Sequence, residues 1–281
     1  MNYSKFRAQQ QFFTSSDGKL AYIDKGKGTP LVLLHGIPTS SWLYRKMIDE
    51  LAISYRVIAP DMLGFGNSDS PKGYDIYNPD EHAKRLLELM NYLKIEHWNH
   101  VLHDAGGLWT WELFKIAPHK IQKLVILNTI LFKEGFHPPM RFKKGWITKC
   151  IMAMYSNGIS TNVMLKGLFN SGLVRNELTK NELQGYKKPL LEGKTKAMYN
   201  FFSKTCFDLP DYTSVFENIT IPKLIIWGKH DSFLVFDDIK EHVYSSLSVT
   251  NQNLHILDAK HFIQEEKPKE INDLIFTFLK N

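Results

Sequence analysis

The sequence predicts an α/β protein with a mostly parallel central sheet, helices flanking it, and a helical cap inserted after the sixth core strand. Three observations lead there. Short, wholly apolar runs recur along the chain, and such runs mark strands buried on both faces. Amphipathic stretches alternate with them, which implies parallel pairing with helices packed on both sides of a sheet. A long interior segment then breaks the alternation, rich in helix formers and aromatics where strand pattern should be.

Taken in order, Phe12 to Thr14 and Leu20 to Ile23 read as a hairpin, because Asp17-Gly18 between them favours the positive φ of a tight turn. Leu31 to Leu34 and Arg56 to Ala59 are buried strands, with Ser41 to Leu51 expected to be helical between them. Apolar spacing of three and four over Asp80 to Leu93 predicts an amphipathic helix. Strand at Val101-Leu102, helix at Leu108 to Ile116 and strand at Leu124 to Leu127 follow. The alternation resumes only with strands at Leu224 to Trp227 and Leu254 to Leu257 and a helix at Lys269 to Leu279. The expected organisation is a core of residues 1–129 and 216–281 and a cap of residues 130–215. Ligands in such sheets bind beyond the carboxyl ends of the strands, so the cap would roof the pocket.

The 281-residue length fits one large domain carrying an insertion. No apolar run approaches the roughly 18 residues that cross a bilayer, and MNYSKFRAQQQFF lacks the apolar stretch of a secretory signal. Two cysteines, Cys150 and Cys206, do not make a disulfide framework, so reduced thiols and a cytoplasmic location are expected. The net charge of +6 is unevenly placed: Ile130 to Thr205 holds 13 Lys and Arg against 4 Asp and Glu, the remainder 22 against 25. A solvated basic surface is the leading reading, ahead of attraction to acidic substrates or an anionic membrane. Membrane association and nucleic-acid binding are therefore not expected, the latter for want of any nucleic-acid motif.

The chemistry centres on Leu102-His103-Asp104-Ala105-Gly106-Gly107, where a buried strand turns sharply into a helix. A nucleophile held on such a turn needs small neighbours, and Gly106 and Gly107 supply them on the helix side; Leu102 on the strand side departs from that pattern. Three further stations lie at strand ends: His35-Gly36-Ile37-Pro38 after an early strand, Asp231 in WGKHD, and His261 in LDAKHF. Nucleophile, acid and histidine thus follow one another along the chain, and four such stations in order are hard to assign to structure alone.

The motifs HGIPTSSWLYRKMI, VIAPDMLGFGNSD, HDAGG, WGKHD and KHFIQEEKP resemble the α/β-hydrolases, and within them the haloalkane dehalogenase and epoxide hydrolase branch. The resemblance covers the core; the cap is not recognisable in detail. It implies Asp104 as nucleophile, His261 as base, Asp231 as supporting acid, and the backbone N–H groups of Ile37 and Ala105 as oxyanion hole. Asn128 stands where some dehalogenases carry an alternative acid, but an amide cannot stabilise an imidazolium by charge. A carboxylate is already ionised at neutral pH, so it can attack a polarised saturated carbon without prior deprotonation. The product is an alkyl ester, hydrolysed by water that His261 activates. No metal or organic cofactor is expected, and the partners are a small apolar substrate and water, the chain being a monomer or homodimer.

Two substrate classes compete. A dehalogenase needs N–H donors for the departing halide, typically an indole after the nucleophile, and Ala105 and Ile37 offer no side-chain donor. Trp109 and Trp111 are expected in the core, leaving Trp146 of the cap as the better pocket candidate. An epoxide hydrolase needs cap tyrosine hydroxyls; Tyr155, Tyr186, Tyr199 and Tyr212 are available, with Tyr199 and Tyr155 the candidate substrate contacts. Leu102 and WLYRKMI look more like dehalogenases, His103-Asp104 and Leu127-Asn128-Thr129 more like epoxide hydrolases. Epoxide opening leads narrowly over dehalogenation and over attack on another substrate such as a strained lactone. A binding protein that kept the fold without catalysis is the alternative from another class.

Overall fold

In the computed structural model, which describes residues 2–280, eight strands form one sheet. They are β1 (Gln11–Thr14), β2 (Lys19–Lys25), β3 (Pro30–Leu34), β4 (Arg56–Pro60), β5 (Trp98–Asp104), β6 (Ile121–Thr129), β7 (Lys223–Gly228) and β8 (Leu254–Leu257). Their spatial order is β1-β2-β4-β3-β5-β6-β7-β8. The β1–β2 hairpin and the β2–β4 pair are antiparallel; every pairing from β4 through β8 is parallel. The burial explains the composition. Every residue of β5 and β7 is buried, so neither strand can show polar alternation.

The core helices are α1 (Tyr3–Arg7), α2 (Ile48–Leu51), α3 (Pro79–Tyr92) and α4 (Gly106–Ile116). Between β3 and β4 the expected continuous helix is broken into a 3₁₀ turn, Ser41–Tyr44, and the short α2. Tertiary contacts win over helical spacing there. Asp61 accepts from the Ser41 N–H (2.8 Å) and hydroxyl (2.6 Å), and the Trp42 indole donates to the Glu182 carbonyl (3.0 Å).

The insertion after β6 carries α5 (Trp146–Met154), α6 (Gly158–Gly172), α7 (Lys180–Leu191), α8 (Lys196–Asn200), a π-helical turn at Phe201–Thr205, and α9 (Thr213–Glu217). Among the described residues its only strand-like feature is a lone bridge, Phe136 to Leu234. Thr179 and Glu182 form a capping box at the start of α7. At the far end α9 returns to the core, the Tyr212 hydroxyl donating to Glu112 on α4 (2.8 Å). The chain then completes the sheet with β7, α10 (Lys240–Leu247), β8, α11 (Ile263–Glu266) and α12 (Pro268–Lys280).

A buried ionic cluster ties cap to core. Arg45, just after the 3₁₀ turn, donates to Glu265 of α11 and to Glu182 of α7 (2.9 Å). Tyr186 of α7 also donates to Glu265. Packing is close enough that Gly185 is obligatory: a Cβ there would lie 2.2 Å from the Trp42 indole nitrogen.

Candidate active site

β5 ends at Asp104, whose φ of +52° lies in the left-handed region. That conformation costs a non-glycine residue roughly 1–3 kcal/mol and persists only where its surroundings enforce it. They do so here. The Thr129 hydroxyl donates to the Asp104 carbonyl (2.6 Å). Helix α4 packs so tightly under the turn that a Cβ on Gly106 would sit 2.7 Å from the His35 carbonyl, and one on Gly107 2.1 Å from the Thr129 hydroxyl. Leu102, the departure on the strand side, is accommodated within the buried strand.

The elbow aims the Asp104 carboxylate at the β3 loop. The Ile37 N–H donates to Oδ1 (2.6 Å), and the Ala105 N–H donates to the same carboxylate. Gly36 makes room, since a Cβ there would fall 2.3 Å from the Asp104 Cβ and Oδ1. The other oxygen, Oδ2, lies 3.7 Å from His261 Nε2. On the far side of the ring, His261 Nδ1 is 2.9 Å from Asp231 Oδ2. Asp231 Oδ1 accepts from the N–H groups of Phe233 (2.8 Å) and Leu234 (3.1 Å), which fixes the carboxylate plane. Asp, His and Asp therefore form a triad-like line through one buried ring.

Burial raises the Asp104 pKa, against the lowering pull of His261 and of the N–H donors of Ile37 and Ala105. Burial pulls the other way on His261, but the Asp231 carboxylate, with Asp104 behind it, outweighs that and leaves the ring's pKa raised. A raised histidine beside a carboxylate is the electrostatic signature of an imidazolium made stable enough to form in a reaction.

Asn128, at the end of β6, contributes something its sequence position did not reveal. Its Nδ2 donates to Asp231 Oδ2 (2.6 Å), the oxygen that faces His261, while its Oδ1 accepts from the Gly228 N–H (3.0 Å). It is a positioning residue for the acid, and β6 lying beside β7 is the signal that could have found it. His35 is structural: its ring receives the Met62 N–H (3.0 Å) and burial pushes its pKa down to about 4. His103 packs its ring 4.7 Å from that of His261 and donates to the His261 carbonyl (3.0 Å), bracing the histidine loop.

Asp104 and His261 open into a cavity of about 300 Å³ under the cap, lined by Met, Phe, Pro, Leu and Val side chains. Besides the triad pair, its polar side chains are Tyr155 and Ser171. Two of the three candidate substrate contacts, Trp146 and Tyr199, fall elsewhere. Trp146 is 74% exposed on the outside of α5. The inward side of that helix is taken by Thr148 and Met152, and Trp146 precedes Thr148 by two positions, more than half a turn away. Tyr199 is buried but turned from the cavity: its hydroxyl receives the Gly145 N–H (3.2 Å) and its ring packs 4.4 Å from Tyr74. Its neighbour Met198 lines the cavity instead. Tyr186 and Tyr212 are engaged with glutamates outside it. Only Tyr155 lines the cavity, its hydroxyl resting on the Met140 sulfur (3.2 Å). Trp109 and Trp111 are core, the former against His35 and His82, the latter donating to the Ile130 carbonyl (2.9 Å).

Comparison with known proteins agrees with this geometry. The chain is 29% identical over 283 residues to "Epoxide hydrolase 4" of Mus musculus, covering 92% of this chain and 76% of that protein. It is 28% identical over 282 residues to "Haloalkane dehalogenase 2" of Mycobacterium tuberculosis, covering 94% and 92%. A solved enol-lactonase from Burkholderia xenovorans shares the fold, with a TM-score of 0.77 at 18% identity over 96% of this chain and all of that one. Residues 29–268 match the alpha/beta hydrolase fold family. An aspartate on the strained turn, answered by a histidine and a second aspartate from later strand ends, makes the chain a member of that family, on its epoxide hydrolase and haloalkane dehalogenase branch.

Proposed function

We propose that the chain hydrolyses epoxides on small apolar molecules, through an ester on Asp104. The observation that carries this reading is the donor set of the cavity. Its one phenol is Tyr155, and among the described residues no indole lines it. An oxygen leaving group that stays attached to the substrate is served by a neutral hydroxyl; a departing halide has no N–H side chain to receive it. Burial raises the Tyr155 pKa, so the hydroxyl stays protonated.

The steps follow from the two oxygens of Asp104. Oδ1 is engaged by Ile37, so Oδ2 attacks an epoxide carbon, the C–O bond breaks, and the alkoxide takes the Tyr155 proton. The ester carbonyl oxygen is then Oδ1, already against the N–H of Ile37, with the N–H of Ala105 a second donor beside the same carboxylate. His261 takes a proton from water, whose oxygen adds to the ester carbon. The tetrahedral intermediate collapses and expels the diol oxygen, which receives the proton from His261. The collapse leaves Asp104 as a carboxylic acid, and its proton passes through water to the Tyr155 phenolate, restoring both groups. The balance is epoxide plus water giving diol.

Parallel assays for diol formation and halide release over epoxide and haloalkane panels test this. Diol formation is expected, with Tyr155→Phe lowering kcat on epoxides roughly a hundredfold. Halide release in place of diol, or full activity in Tyr155→Phe, would overturn the epoxide assignment.

Ester hydrolysis needs neutral His261, and its raised pKa places the acid limb of kcat above the ring's ordinary 6.5. Removing the Asp231 charge destabilises the imidazolium, so Asp231→Asn should move that limb to lower pH while reducing kcat. A pH–rate profile reads the shift; an unmoved limb would remove Asp231 from the triad.

A further inference from the structure

The insertion presents an apolar face of which only one edge reaches the catalytic cavity. Helices α5 and α6 are consecutive, joined by three residues. Of the thirteen large hydrophobic side chains exposed among the described residues, five lie within 146–163: Trp146, Ile147, Met154, Ile159 and Val163. Exposed apolar side chains concentrated on two consecutive helices in this way mark an interaction surface. The charge around it identifies the partner. Residues 135–176 contain no Asp or Glu and six cations, Arg141, Lys143, Lys144, Lys149, Lys166 and Arg175, all exposed. Among the described residues none of the six has a carboxylate within ion-pair distance.

We propose that this face docks on the surface of an anionic lipid bilayer, Trp146, Ile147, Met154 and Ile159 entering the headgroup layer and the surrounding cations meeting acidic lipids. Apolar side chains ringed by lysine and arginine, with a tryptophan at the boundary, are what an interfacial helix presents. No helix of the described residues is long and apolar enough to cross a membrane, and lying on its surface requires no such helix. A second copy of the chain is the poorer occupant, because it would set the same cations against one another.

The face also leads inward. Ile159, Val163, Gly167 and Ser171 follow one another at intervals of four along α6, on one stripe. The first is on the exposed surface; the other three are exposed too and also line the cavity. A docked molecule would receive apolar substrate from the lipid phase along this stripe.

The native chain supplies its own probe. The other five tryptophans are buried, so Trp146 is the one exposed indole. Vesicles of phosphatidylcholine with phosphatidylserine should float the protein, less at high salt, and phosphatidylcholine vesicles alone should not. Brominated acyl chains in the anionic vesicles should quench part of the tryptophan emission, an effect absent in Trp146→Phe. Lys143→Glu with Lys144→Glu should lower partitioning about tenfold, and Trp146→Ser with Ile147→Ser by a similar factor. These positions are exposed and outside the catalytic line, so an unchanged circular-dichroism spectrum and melting temperature in lipid-free solution check that the variants are folded. No flotation at low salt, flotation indifferent to both substitutions, or self-association that shields Trp146 without lipid would each overturn the proposal. The readout is lipid binding, so it fails or holds independently of the epoxide assignment.

Discussion

His261→Gln should accumulate one covalent ester on Asp104 per molecule and turn over about a hundredfold to ten-thousandfold more slowly. The attack by Oδ2 uses no base, so the first half of the reaction survives. The second half does not, because glutamine cannot take a proton from the water that must reach the ester. Gln retains an amide to donate to Asp231, so the pocket keeps its shape. Mass spectrometry of the peptide containing Asp104 reads the outcome and identifies the bond: an epoxide adds its whole mass, whereas a haloalkane adds its mass less the hydrogen halide. A panel of both that leaves the peptide unmodified would remove Asp104 as nucleophile.

Arg45→Ala should lower stability by about 3 kcal/mol, measured by denaturant unfolding. The Arg45 and Glu265 side chains are 3% and 2% exposed, so truncation strands a carboxylate in the interior. The loss stays at the low end for a buried pair because Lys46 still contacts Glu265 (2.9 Å). The same change removes one of the two cations on Glu182 of α7, leaving Lys46 at 3.3 Å, and so loosens the cap where it meets the loop between β3 and α2. KM should therefore rise along with the loss of stability. A variant that melts like the parent would show that the cluster contributes nothing to the fold.

What the sequence reveals depends on whether backbone or side-chain direction is at stake. β3 and β7 are legible because burial leaves the apolar runs Leu31–Leu34 and Leu224–Trp227, whereas β5 shows only Val101-Leu102, its Asn99, His100 and His103 being buried polar residues. The site's line is legible because strand ends concentrate chemistry, and Asp104, Asp231 and His261 all stand there. The cap is another matter. α5 is apolar on its inward and outward sides alike, so periodicity cannot say that Trp146 faces out and Met152 in. Tyr199 and Met198 are neighbours pointing to different places, decided by how α8 sits rather than by its composition. The broken helix after β3 follows from Asp61 and Glu182, distant residues that no local window contains.

The Arg45 cluster bears on how the molecule comes into being. Arg45 and Glu265 are separated by 220 positions, and His103 and His261 by 158. Contacts of such separation cannot form until His261 and Glu265 have themselves been made, and closing them is slow. A nascent chain carries its nucleophile and both oxyanion donors long before a base exists, with a greasy, cationic insertion emerging in between. Synthesis from the amino end therefore exposes the parts most prone to stray association while the stapling residues are still unmade.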